Sequence, residues 1–147
     1  MAYRFDLDII RDYIEEDLDD SGYSEKLEFE YEQDDEYVTV SASGITLKNH
    51  DDDIYVEISA YTGGGCTMRA VFDKIDKTMS TLSLLNDFNA DSFYFKAYIR
   101  DDGYLTVKHA FIVLDESSYK DCASEFLGRV ADLADNEILQ KLTRLTH

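Results

Sequence analysis

Residues 84–114, LLNDFNADSFYFKAYIRDDGYLTVKHAFIVL, constrain the fold of this chain more than any other stretch. They read as the end of an apolar helix, a short polar joint, and two alternating strands turned back on each other. Phe93, Phe95, Ala97 and Ile99 oppose Leu105, Val107, His109 and Phe111 across Asp101-Asp102-Gly103. Asp-Gly between alternating runs is a strong hairpin signal, because glycine supplies the positive φ of the turn.

The remaining pattern extends that hairpin into a larger sheet. Leu7, Ile10, Ile14 and Leu18 recur at helical spacing opposite Asp12, Glu15, Glu16, Asp19 and Asp20, which predicts an amphipathic helix with Asp6 as N-cap and Ser21-Gly22 as its stop. Leu27, Phe29 and Tyr31 alternate with Glu28, Glu30 and Glu32, a strand with one acidic, wet face. Val38, Val40 and Ala42 mark a second strand, with Gly44 placed to break or bulge it, and Ile54, Val56, Ile58 and Ala60 a third. Gly63-Gly64-Gly65 turns toward a fourth at Cys66–Phe72. Ile75, Met79, Leu82 and Leu85 then form a helical stripe. Tyr119, Cys122, Phe126, Val130 and Leu133 define a long last helix starting at Ser117 or Ser118, kinked at Asp135-Asn136 before Leu139 and Leu142. The order α-β-β-β(-β)-α-β-β-α, with strands in runs joined by short turns, predicts a single α+β domain over 1–147: a mostly antiparallel sheet with helices packed on it.

Charge narrows the partners. The chain carries −18 at pH 7, divided as −15 over residues 1–57 and −3 over residues 58–147. Such a field repels phosphates and anionic headgroups, so neither nucleic acid nor membrane is expected as a partner. No stretch approaches the ~20 apolar residues of a membrane span. The opening MAYRFDLD lacks the apolar core of a signal peptide. Cys66 and Cys122 form no C-x-x-C, which fits two reduced core thiols and a cytoplasmic location.

Catalytic chemistry finds little support. His50 beside Asp51-Asp52-Asp53 suggests a cation site only if consecutive turn carboxylates converge, which such a geometry disfavours. His109 falls on the apolar side of its strand, and His147 is the last residue. Gly63-Gly64-Gly65 lacks the spacing and the lysine of a phosphate loop. No nucleophile motif is present, and acidic pairs on so acidic a chain carry no assignment. No catalytic residue, metal ligand or cofactor site is therefore assigned, and the chain is read as a non-enzyme. Asn86 and Asn89 are read as helix stops, because asparagine tolerates left-handed backbone and bonds nearby main chain.

Asn86-x-x-Asn89 at the end of the second helix, the aromatic strand after it, Asp102-Gly103, the apolar strand and the C-terminal amphipathic helix resemble the YbjN-like group of the type III secretion chaperone-like fold. The α-β-β-β-α-β-β-α order matches over essentially the whole chain, with one strand more in Ile54–Phe72 than the plain pattern holds. The resemblance implies a small acidic protein, usually a homodimer, that binds another polypeptide without a catalytic centre.

The residues supply a candidate surface. Tyr94, Tyr98 and Tyr104 alternate with Phe93, Phe95 and Leu105, which puts them on the opposite, half-wet face of the hairpin. Tyrosine is enriched at interfaces because it buries much area at low entropy cost. That face is assigned as the partner or dimer surface of a chaperone-like module that captures a segment of another protein. The alternative is an acidic inhibitor or immunity-type protein, whose negative face itself holds a basic partner. Salt separates the two, since charge-driven binding is screened and apolar capture is not.

Overall fold

The computed structural model describes residues 5–20, 27–47, 53–112 and 115–144. Among them are α1 (Leu7–Asp20), β1 (Glu28–Gln33), β2 (Tyr37–Ile45), β3 (Ile54–Tyr61), β4 (Gly65–Lys74), α2 (Met79–Asp91), β5 (Lys96–Ile99), β6 (Tyr104–Ile112), α3 (Cys122–Asp132) and α4 (Glu137–Arg144). The six strands form one antiparallel sheet in the order β1-β2-β3-β4-β6-β5. The fourth strand is real, and the fold is α+β in the expected order. After β4 the chain runs through α2 to the far edge as β5, then returns as β6 between β5 and β4.

One face of the sheet is dry. Val38, Val40, Val56, Ile58, Ala70, Leu105 and Val107 point into it and are at most 1% exposed. Ile10, Ile14 and Leu18 of α1 and Phe126, Leu127 and Val130 of α3 close over them in a single core. The alternation read along β2 and β3 is thus the alternation between core and outside. Asp6 caps α1 as expected, its Oδ1 accepting from the amides of Asp8 at 3.0 Å and Ile9 at 3.4 Å. The stop expected at Ser21-Gly22 lies outside the described residues. Gly44, at φ 86°, sits where the β2–β3 register shifts between Ala42 and Ile45, so it does bulge the strand.

Three expectations change. The stripe on α2 has a different phase: Thr81, Leu85 and Phe88 are buried, while Met79 is 83% and Leu82 41% exposed. The helix starts at a capping box, in which Thr78 Oγ1 accepts from the Thr81 amide and Thr81 Oγ1 accepts from the Thr78 amide. Thr81 also donates to Asp76 O, so a polar residue takes an inward position because all its bonds are made locally. The first strand of the hairpin is shorter than its alternation. Ser92 Oγ accepts from the Phe95 amide, the backbone bends there, and β5 begins only at Lys96, leaving Phe93 fully exposed. The long last helix divides. Glu116–Tyr119 is a 3-10 turn begun by Asp115, not by Ser117 or Ser118, and α3 starts at Cys122. The break at Asp135-Asn136 is real, with Asn136 Oδ1 accepting from the Leu139 amide at 2.9 Å to start α4.

Candidate functional site

The second face of the sheet is covered by no described helix, and strand pairing decides what it carries. One register row reads Glu30, Ser41, Glu57, Arg69, Lys108, Lys96 from β1 to β5. A neighbouring row from β3 to β5 reads Tyr55, Val71, Thr106, Tyr98. Because residues two apart share a face, Tyr104 joins Thr106 and Lys108 on this side of β6.

Arg100, at the end of β5, reaches back across these rows. Its Nη1 donates to Tyr55 Oη at 3.0 Å and to Glu57 Oε1 at 3.4 Å, and its Nη2 meets Asp102 Oδ2 at 3.0 Å. Arg69 Nη1 lies 3.8 Å from Glu57 Oε2. The guanidinium therefore bridges from the β5 edge to β3. Val71 is 1% exposed and Thr106 is fully buried, although both sit on the side away from the helices. Burial raises the Tyr55 hydroxyl above its ordinary pKa. For Arg100, burial works against the charge, but Tyr55, Glu57 and Asp102 outweigh it and hold the guanidinium above its usual value. The result is a pre-ordered polar plate with tyrosine rings set into it.

Tyr98 and Tyr104 lie on this plate, Tyr98 half-buried with Lys108 Nζ 5.5 Å from its ring centre and Tyr104 exposed. Tyr94 does not join them. It precedes β5, beyond the bend at Ser92, and turns to the helix side. Its ring stacks on His109 at 3.7 Å and lies 4.4 Å under the Arg129 guanidinium of α3. His109 Nδ1 is 2.8 Å from Tyr94 O, and because a carbonyl only accepts, that nitrogen carries the hydrogen. Burial pushes the Tyr94 hydroxyl up to about 12. His109 is thus a bonded, stacked histidine at the edge of the core.

Asn89 ends up in a role that helix-stop chemistry does not describe. It lies inside α2, and its side chain takes the place of a strand beside the β5 edge. Oδ1 accepts from the Ala97 amide at 2.7 Å, and Nδ2 donates to Ala97 O at 3.0 Å. Asn86 is exposed on the same helix. Gly64, at φ 96°, makes the β3–β4 turn expected of the glycine run. Cys66 and Cys122 are buried free thiols. His50, Asp51, Asp52 and His147 lie outside the described residues, and Asp53 is exposed. Among the described residues, no three His, Cys, Asp or Glu side chains are grouped so as to hold a metal, and no helix is long and apolar enough to cross a membrane.

Two features were not read from the sequence. Asp17 is buried, and its Oδ2 accepts from the Ser124 amide at 2.8 Å, so α1 supplies the cap that Asp121 does not give α3. The Arg100–Tyr55–Glu57 cluster joins residues more than 40 apart, and only strand register brings them together.

The fold is an α+β sheet-and-helix unit whose recognisable surface chemistry sits on an uncovered sheet face. A family model described as "Putative bacterial sensory transduction regulator", YbjN, matches residues 11–136. The chain belongs to the YbjN family. No curated protein and no solved structure matches it.

Proposed function

We propose that this protein is a non-enzymatic, cytoplasmic regulator that binds another polypeptide through the outer face of its sheet, in the manner of the secretion chaperones its sequence resembles. The observation that carries this reading is the plate around Arg100. It is uncovered by described helices, tied together by the bonds of Arg100 to Tyr55, Glu57 and Asp102, and set with the rings of Tyr98 and Tyr104. A pre-ordered surface loses little entropy on binding, and exposed tyrosines supply contact area. The family's description as a regulator agrees with a binding role.

The test is capture of the tagged protein's partner from its own lysate, followed by calorimetry with the purified partner. Tyr98→Ala with Tyr104→Ala should weaken binding by about tenfold or more, since truncated interface anchors cost above ~1 kcal/mol each. Equal affinity of the two proteins would overturn the reading.

A second reading rests on a separate observation. α1 exposes Asp8, Asp12, Glu16, Asp19 and Asp20, and an open groove of about 440 Å³ beside it is lined by Tyr13, Glu16, Asp17, Asp20, Lys120 and Asp121. This acidic side suits a basic partner, as an inhibitor or immunity-type protein would require. Binding there should collapse at high salt and ignore the two tyrosine replacements.

A further inference from the structure

The outer face carries three cations abreast. In the register of β4, β6 and β5, Arg69 lies opposite Lys108, and Lys108 opposite Lys96. Adjacent strands are only about 4.8 Å apart, and like charges directly opposite each other destabilise a sheet. The chain has 32 acidic side chains against 14 basic ones, so carboxylates are not scarce. Arg69 meets one, Glu57, at 3.8 Å. Neither lysine pairs with a carboxylate among the described residues. Lys96 Nζ donates instead to Asn89 O at 3.2 Å, and Lys108 Nζ lies 5.5 Å from the Tyr98 ring centre. Both lysines are exposed.

The neighbours of this row indicate what brings the missing negative charge. On the same side of β6, Tyr104 precedes Lys108 along the strand and Ala110 and Ile112 follow it, all three exposed and Ile112 at 79%. Tyr98 adds a half-buried ring from β5. A free anion would use the lysines and leave these apolar groups wet. A polypeptide with carboxylates in its middle and apolar side chains toward both ends would cover them all. These residues lie on the face of the sheet, where the strands have turned their backbone groups toward one another. A segment laid there must satisfy its own N–H and C=O groups, which a helix does and an extended chain does not. From Tyr104 to Ile112 the strand runs roughly 27 Å at ~3.4 Å per residue, the length of a helix of about 18 residues.

We infer that the segment this face captures is an acidic amphipathic helix laid along β6, with its carboxylates over Lys96 and Lys108 and its apolar side chains on Tyr98, Tyr104 and Ile112. The inference rests on the reading of this face as a protein-binding surface, and it states the chemistry of what binds there. The preference is opposite to the one set by net charge, because −18 attracts basic partners over distance. The lysine pair reverses that preference locally. Salt changes the affinity of such a complex little, since it screens the contact and the overall repulsion together.

Selection from a display library of random peptides of about 18 residues on the immobilised protein tests it. Enriched peptides should carry an excess of Asp and Glu, with apolar residues recurring three and four apart. As free synthetic peptides they should bind the Lys96→Glu, Lys108→Glu variant about tenfold more weakly than the parent, or worse. Lys96→Gln with Lys108→Gln should weaken them to a smaller degree, and this milder pair decides if the reversal does not fold. Enriched peptides that are neutral or basic overturn the inference, as do apolar residues at every second position, affinities indifferent to both lysine pairs, or a library that yields no binder. Peptides that are not acidic yet lose binding with Tyr98→Ala and Tyr104→Ala would overturn this inference and leave the binding reading of the face intact. Peptides indifferent to the lysines and to the tyrosines would overturn both.

Discussion

Replacing Asn89 by alanine should cost this protein about 2 kcal/mol. The Asn89 side chain satisfies both backbone groups that Ala97 turns to the free edge of β5, at 2.7 and 3.0 Å, and Ala97 is only 4% exposed. Leaving a buried amide without a partner costs about 1–3 kcal/mol, and the lost carbonyl bond adds about 1. Alanine returns up to ~0.7 kcal/mol through its better helix propensity. For a chain of 147 residues, each kcal/mol moves the Tm by about 2–4 °C, so a fall of about 4–8 °C is expected in calorimetry or circular dichroism. Asn86→Ala, on the exposed side of the same helix, is the control and should stay within about 0.5 kcal/mol. Asn89→Asp keeps the acceptor but loses the donor and should fall between them. Faster hydrogen exchange at the Ala97 amide should accompany the Asn89→Ala loss. Equal effects of the Asn86 and Asn89 replacements, or no change in either, would refute the idea that this side chain substitutes for a strand.

Other consequences follow from single sites. Gly103→Ala forces a Cβ onto a residue at φ 92° with Lys74 Cε 3.0 Å away, and left-handed strain of about 1–2 kcal/mol should appear in urea titration; Gly63→Ala, with open space around it, should be neutral. Burial raises the Asp17 carboxyl above its ordinary pKa despite the bonds from Ser124 and Ala123. A raised folded pKa gives stability that is present below the unfolded value and lost as pH rises through the folded one. Asp17→Asn should therefore have the higher Tm near neutral pH, with the gap closing below about pH 4; a variant that is less stable at neutral pH would contradict this. Burial pushes the Cys122 thiol up to about 12 and the Cys66 thiol higher still, so both should resist thiol reagents in the native protein and react only after unfolding.

Much of this fold is legible in the sequence because period-two alternation maps directly onto the two faces of a sheet. Val38, Val40, Val56 and Ile58 are apolar and buried for one reason. Asp102-Gly103 marks its turn because the left-handed position needs glycine. What fails is whatever depends on partners distant in sequence. Thr81 looks like a surface residue until Asp76 and Thr78 satisfy its hydroxyl. Tyr94 alternates with Phe95 and Ala97 and so reads as an outer-face residue, but the chain bends at Ser92 before β5 begins, and its ring lies on the helix side against His109 and Arg129. The same limit hides the plate. Tyr55, Glu57 and Arg100 are unremarkable residues until the β3-β4-β6-β5 order brings them together, and no local pattern encodes that order.

The location of the binding surface can be measured with hydroxyl-radical footprinting of the protein free and in complex with its purified partner. Tyr98 and Tyr104 on the outer sheet face should be oxidised several-fold more slowly in the complex, while Tyr13 of α1 and Tyr31, which lies beneath Arg11 of that helix, keep their rates. Protection of Tyr13 and Tyr31 with Tyr98 and Tyr104 unchanged would contradict the sheet-face account and place the contact on the acidic helix.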